Sequence, residues 1–442
     1  MMKKVLSLAL PVALSYLGIM LMGAVDLLFV GHLGAIPMGA VGIGTSIFSG
    51  FLVLGIGLLS GMDYYVAKSI GEGSPSLARA YLKQGILIAT LLSIPLTFAI
   101  LEISKHLSRI GILPEVLPQA ESYLWIIGWS IAPVLVFAAY RNYLQAVNKG
   151  PAVVITMVAS NLLNAGLNWV FIFGHLGSKA YGTDGSAYAT FLSRVLMLLA
   201  LALIYEFSDR SDPKAKLPLF DWEKFRNLIR LGTPSSLQMV LEVGVFSLAT
   251  ALAARLVPTE QAAHQIVLNL ASIAFMVPLG IGTASAVLVG KEIGAKQYHL
   301  AKHAGWNCVW LGWGYSFCSA AVLLLFPHFL LSIYTNDPSV IEAAKNVLIV
   351  AALFQFSDGT QTILTGALRG IADTRSAMAV NLVGHWGIGL PLGYTLCFHK
   401  GWGLFGLWIG LATGLTMVAL FLLLIWTFTK KTEKLDFTPV LT

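Results

Sequence analysis

Three observations predict an all-α integral membrane protein with twelve transmembrane helices in two parallel six-helix repeats. The chain of 442 residues is 57% hydrophobic and only 11% charged, where a soluble domain carries about 25% charge. Twelve apolar stretches are long enough to cross a bilayer. The two halves also echo one another at an offset near 223 residues.

The first stretch, 5–30, follows the basic start MMKK. It runs on to Val30 with no small-residue cleavage site, so it is read as a retained helix rather than a signal peptide. Spans at 39–67, 80–103, 120–146, 151–174 and 185–206 complete the first half. The polar segment SDRSDPKAKLPLFDWEKFRN (208–227) divides six spans from six. The second half carries 228–256, 262–289, 300–326, 340–368, 376–398 and 403–429. The expected organisation is therefore an N-terminal lobe over 1–207, a cytoplasmic linker over 208–227, and a C-terminal lobe with a cytoplasmic tail over 228–442.

Net charge is +7, and its placement excludes a nucleic-acid partner. With the N-terminus inside, 21 of the 28 Lys and Arg residues, Arg141 among them, fall on one side. Six fall on the other, and Arg194 lies within a span. This positive-inside bias places both termini in the cytoplasm of a multi-pass plasma-membrane protein, the inner membrane if the source is bacterial. Cys308, Cys318 and Cys397 sit in apolar segments with no metal or redox spacing.

The halves match in charged loops as well as apolar runs. KSIGEGSPSLARA (68–80) pairs with KEIGAKQYHLAKH (291–303), LALP (8–11) with LGTP (231–234), and LGIG (54–57) with LGIG (279–282). Six helices separate equivalent positions, so the repeats share one orientation, the plan of a two-lobe transporter with a central cavity.

Buried polar residues then locate the chemistry. Glu242 lies roughly 18 Å of helix from Arg230 and from Arg255, near the bilayer midplane. A charge there costs about 2.5–3.5 kcal/mol, which makes a functional role the default. Asp358 lies about 16 Å from Arg369, at a matching depth, so the two carboxylates form an ion-coupling pair if they face each other. In the first half, Asp26, Thr190 and the one-turn pair Asn164 and Asn168 fall in the outer part of their spans. This oxygen-rich set suits a proton or Na+. Arg194, at mid-depth, is either a counter-ion to Asp26 or lines water. Asp63, five residues from Lys68, is expected at the cytoplasmic interface. His264 and His385 are proton relays or, more commonly for such residues, packing histidines. Gly57-x-x-x-Gly61 reads as a close helix contact.

LALP, GAVDLLFVGHLG with Asp26, NAGLNWVFIFG, LEVGVF with Glu242, AAHQIVLN, and SDGTQTILTGALRGIADT with Asp358 together resemble the multidrug and toxic compound extrusion (MATE) family. The pairing of Glu242 with Asp358 resembles its NorM-type branch. The resemblance implies an antiporter that exports organic, often cationic or amphipathic compounds against entry of H+ or Na+. It implies no cofactor, a monomer, and membrane lipid and small organic substrates as partners. It also implies that Glu242 and Asp358 hold the cation, Na+ being the one metal to consider, and that Asp26, Asn164, Asn168 and Thr190 form a polar network. Phe354 stands where NorM-type members can place a tyrosine, which removes one oxygen from a Na+ site.

Two other classes fit less well. A flippase for lipid-linked sugars, from the same superfamily, would carry an Arg- and Lys-rich cavity, and only Arg194 lies at mid-depth in the sequence. A membrane-embedded enzyme would need Asp-rich metal motifs; none is present, and no catalytic residues are expected.

Overall fold

The computed structural model describes residues 2–208 and 218–429. Residues 209–217 of the expected linker and the expected tail from 430 lie outside the described residues, as do Arg210, Lys214, Lys216, Lys430, Lys431 and Lys434 of the charge pattern.

The described chain is helical. The first half comprises α1 (Met2–Gly31), α2 (Ala35–Leu59), α3 (Gly61–Gly71), α4 (Pro75–Ser104), α5 (Leu117–Gly128), α6 (Ile131–Ala146), α7 (Gly150–Phe173) and α8 (Thr183–Ser208). The second comprises α9 (Trp222–Ala253), α10 (Pro258–Gly294), α11 (Tyr298–Leu325), the short α12 (Pro327–Ser332), α13 (Pro338–Arg369), α14 (Thr374–Asn381), α15 (Leu390–Tyr394) and α16 (Gly403–Phe428). Among the described residues, ten continuous helical stretches are long and apolar enough to cross a membrane. The pair α5 and α6, bent by 44° at residues 129–130, makes an eleventh.

The eleventh span expected from the sequence, 376–398, is not a plain α-helix. It runs as α14, a π-helical stretch Leu382–Gly389, α15, and a second π-helical stretch Thr395–His399. Pro391 has no N–H to continue the ladder. The span also lies tight against α16. A Cβ on Gly410 would sit 2.2 Å from the Gly393 Cα, and one on Gly414 2.9 Å from the Gly389 Cα. Glycines on both sides let the widened backbone pack without side chains between.

The sequence repeat extends to the helix crossings. A Cβ on Gly57 would lie 2.5 Å from the Ser236 Cα, and one on Gly280 2.5 Å from the Ala13 Cα. Both members of the second pair differ from the first by 223 residues. Gly71 and Gly294, also 223 apart, approach the Lys291 and Lys68 carbonyls at 2.0 and 2.1 Å from a built Cβ. Helices α6 and α13 end alike: Asn148 and Ala372 take φ of 62° and 57°. The Lys149 and Asp373 N–H groups then donate back to Leu144 and Leu368 carbonyls at 2.7 and 2.8 Å.

Two compact units result. One holds residues 14–66 and the described residues of 74–236; the other holds 2–13, 67–73 and the described residues from 237 onward. The first and seventh spans, α1 and α9, thus each divide between the units. In the second unit α13 packs against α10, α11 and α16. Pro278 interrupts the α10 ladder, and the Ala274 carbonyl it leaves free accepts the Tyr315 hydroxyl at 2.9 Å.

Candidate functional site

In the second unit, α9 carries Glu242 and α13 carries Asp358. They are joined by a residue the sequence reading passed over. Gln361 Nε2 donates to Glu242 Oε1 at 3.0 Å and to Asp358 Oδ1 at 3.3 Å. One amide nitrogen thus reaches both carboxylates. Asp358 is buried, and Gln361 is 1% exposed. Gln361 follows Asp358 by three residues, so both share a helix face, and that spacing was the available signal. Close contact of α13 with α10 fixes this face. A Cβ on Gly366 would lie 1.9 Å from the Gly282 carbonyl oxygen, and one on Gly282 2.7 Å from the Thr362 oxygen.

Gln238, one turn before Glu242 on α9 and buried, also hydrogen-bonds to the Glu242 side chain. Gln361 Oε1 and Gln355 Nε2 are buried without a hydrogen-bond partner among the described residues. Phe354 is buried and stacks on Trp408 with ring centroids 5.6 Å apart. It is a packing residue.

In the first unit the four predicted residues come together. Asp26 Oδ1 accepts from Asn168 Nδ2 at 2.7 Å and its Oδ2 from the Thr190 hydroxyl at 2.6 Å. Asn164 Nδ2 donates to Thr190 Oγ1 at 3.2 Å, and Asn168 Nδ2 also donates to Asn164 Oδ1 at 3.2 Å. All four are at most 4% exposed. Asn164 and Asn168 reach the same carboxylate region because they lie one turn apart on α7.

A cavity of about 130 Å³ within this unit is lined by Asp26 and Thr190, and also by Arg194, Arg141, Tyr123 and Phe48. The sequence left open whether Arg194 pairs with Asp26. Among the described residues they form no ion pair; Arg194 donates to Ser130 Oγ at 2.6 Å and lies 4.4 Å over the Phe48 ring. Ser130 marks the bend between α5 and α6, so Arg194 is anchored at the break. Arg141, counted in the sequence among interfacial cations, is 1% exposed and borders the same cavity. Its neighbour in sequence, Asn142, accepts from it at 3.3 and 3.4 Å, and its guanidinium lies 5.0 Å over Tyr16. Counting charges by loop cannot see this burial. Asp63, expected at an interface, is likewise 2% exposed.

His264 is a packing histidine. Trp408 Nε1 donates to its Nδ1 at 3.1 Å, which leaves Nε2 to donate to Thr250 Oγ1 at 3.0 Å. The Thr250 hydroxyl then donates to the Phe246 carbonyl at 2.9 Å. Every proton in that chain is committed to a bond. His385 lies in the first π-helical stretch, 1% exposed, with Nε2 unpartnered among the described residues.

Comparison with known proteins places this arrangement. The chain is 35% identical to a probable multidrug resistance protein NorM of Mesorhizobium japonicum, over 95% of this chain and 92% of that one. It is 36% identical to the multidrug resistance protein NorM of Burkholderia vietnamiensis, over 98% and 94%. The fold matches the eukaryotic MATE transporter AtDTX14 with a TM-score of 0.89 at 23% identity, covering 98% of this chain and 97% of that one. It matches the Vibrio cholerae MATE transporter VcmN with a TM-score of 0.89 at 19% identity, covering 99% and 98%. The MatE family description matches residues 11–170 and 234–395, which take in Asp26, Asn164, Asn168, Glu242 and Asp358. With spans, repeats and full-length relatives in agreement, this multi-pass membrane chain belongs to the MatE family.

Proposed function

We propose that this protein is a cation-coupled antiporter that exports organic compounds by alternating access. The observation that carries the proposal is the pair Glu242 and Asp358, held on the one Gln361 amide. Two carboxylates at that depth are costly unless a cation neutralises them in part of a cycle. Drug export is supported by relatives named as multidrug resistance proteins.

The oxygen supply favours a proton over Na+ as the coupling ion. A proton needs one carboxylate oxygen, whereas a hard metal cation needs several ligands, and Phe354 offers none. Glu242 and Asp358 form the coupling site, and Asp26 with Asn164, Asn168 and Thr190 forms a second polar station. The protein acts as a monomer in the plasma membrane, the inner membrane of a bacterium, with both termini cytoplasmic and without a cofactor. A second reading, flipping of a lipid-linked sugar, draws on one observation: Arg141 joins Arg194 at the cavity.

The test is exchange in proteoliposomes with imposed pH, Na+ and voltage gradients. Glu242→Gln and Asp358→Asn are each expected to reduce gradient-driven export of a fluorescent dye at least tenfold with protein yield unchanged. Wild-type export by the double variant would remove the coupling role of the pair. Lipid scrambling without dye export would favour the flippase.

A further inference from the structure

The cavity of the first unit has a charge balance at odds with a cationic substrate. Two guanidinium groups, Arg194 and Arg141, border it against the single carboxylate of Asp26. At least one positive charge is left over. The Asp26 carboxylate is already engaged by Asn168 and Thr190, so its oxygens are turned toward donors within the protein. Arg194 is the reverse case. Among the described residues it gives one hydrogen bond, to Ser130, although a guanidinium carries five N–H donors. Its face is covered by Phe48, which leaves the in-plane N–H edge for a ligand. Nearly full burial of Arg141, with only two long contacts to Asn142, adds a second under-used cation. The rest of the lining combines the hydroxyls of Thr45, Ser49, Tyr123 and Thr190 with a larger apolar share that includes Met22, Met157 and Met197.

We propose that this cavity binds the carboxylate-bearing end of an aromatic organic acid, with Arg194 as the residue that selects it. The planar edge of a guanidinium matches a carboxylate bidentately, and polarisable methionines adapt to a ring beside it. The volume, about 130 Å³, is on the order of the space that accepts one aromatic ring, so the cavity seats one end of a larger compound. A monoanion balances the surplus charge; a phosphate dianion overshoots it beside Asp26. The inference rests on the export reading for its place in a transport cycle, but binding at the cavity is measured apart from any gradient.

Purified full-length protein in lipid nanodiscs is titrated with benzoate, methyl benzoate, phenyl phosphate and benzylammonium by ligand-observed NMR. Benzoate is expected to bind more tightly than the other three. Arg194→Gln should weaken benzoate about tenfold or more, the factor a charge-assisted hydrogen bond supplies, and leave the ester unchanged. Arg194→Lys should recover part of the loss, since it restores the charge without the fork. Asp26→Asn should leave benzoate binding equal or tighter. Equal binding of acid and ester, preference for the phosphate or the ammonium, or indifference of benzoate to Arg194→Gln would each overturn the assignment. If Arg194→Gln fails to give a monodisperse protein, the wild-type ranking and Arg194→Lys decide the question. Export that ignores every gradient would sink the antiporter reading while leaving a carboxylate preference intact, so the two failures are separable.

Discussion

Replacing Gln361 with leucine isolates the amide that joins the two carboxylates. Its Nε2 makes one good contact, 3.0 Å to Glu242, and one at the long end of the range, 3.3 Å to Asp358. Hydrogen bonds to charged groups contribute about 1.5–3 kcal/mol each, and the long one falls below that. Their joint loss is therefore about 2 kcal/mol, a factor of about 30 in an equilibrium constant. The sign follows from what the amide favours. Its N–H groups stabilise the carboxylates when no cation is bound, so removing them favours the loaded state. The unloaded folded state should lose about the same amount and no more, because Gln361 Oε1 has no partner to lose and leucine is close in shape. In proteoliposomes, the half-saturating concentration of the coupling cation should fall about thirtyfold for Gln361→Leu, with slower turnover as release becomes harder. A half-saturating concentration within twofold of wild type would refute this account of the amide.

Further outcomes follow from the same geometry. Gly366→Ala should destabilise the protein by about 1–3 kcal/mol or more in a detergent melting experiment, because the new Cβ would meet the Gly282 carbonyl at 1.9 Å. Gly314→Ala, with nothing within 4 Å of its Cβ, should melt at or slightly above the wild-type temperature. Asp26 bonds to Asn168 and Thr190, Glu242 to Gln361, and the two lie in different units, so the effects of Asp26→Asn and Glu242→Gln on substrate affinity should add within about 0.5 kcal/mol. Coupling of several kcal/mol would mean that the two stations act as one.

The fold was legible because its signals are one-dimensional. Apolar run length, the charged anchors at Lys68 and Lys291, and the prolines Pro11 and Pro234 all survive without knowledge of packing. The first-unit network was legible for a related reason. Asn164 and Asn168 share a face by helix periodicity, and Asp26 is a carboxylate in an apolar run. What escaped depends on which way a side chain turns. Arg141 sits near a helix end and counts as interfacial by position, yet its guanidinium folds inward over Tyr16. Gln361 is uncharged and so drew no notice beside Asp358. The π-helical stretches of the eleventh span depend on glycines of α16 that are close only after folding.

Those stretches carry a consequence for how the chain tolerates changes in length. A π turn closes its hydrogen bonds over five residues where an α turn closes them over four, so Leu382–Gly389 stores a surplus residue. Losing one residue there converts the stretch to an α-helix without rotating α15 against its glycine seam. The segment holds slack, and among the described residues the other long helices contain no such π-helical stretch. Deletion of Gly387, whose missing Cβ would touch only Val383 at 4.0 Å, should therefore yield a folded, monodisperse protein. The same deletion at Gly359 in α13 swings Asp358 about 100° away from Gln361 and the helix C-terminal to it, and should not. Equal loss of folded protein from both deletions, read by size-exclusion chromatography, would show that the surplus residue is fixed in place.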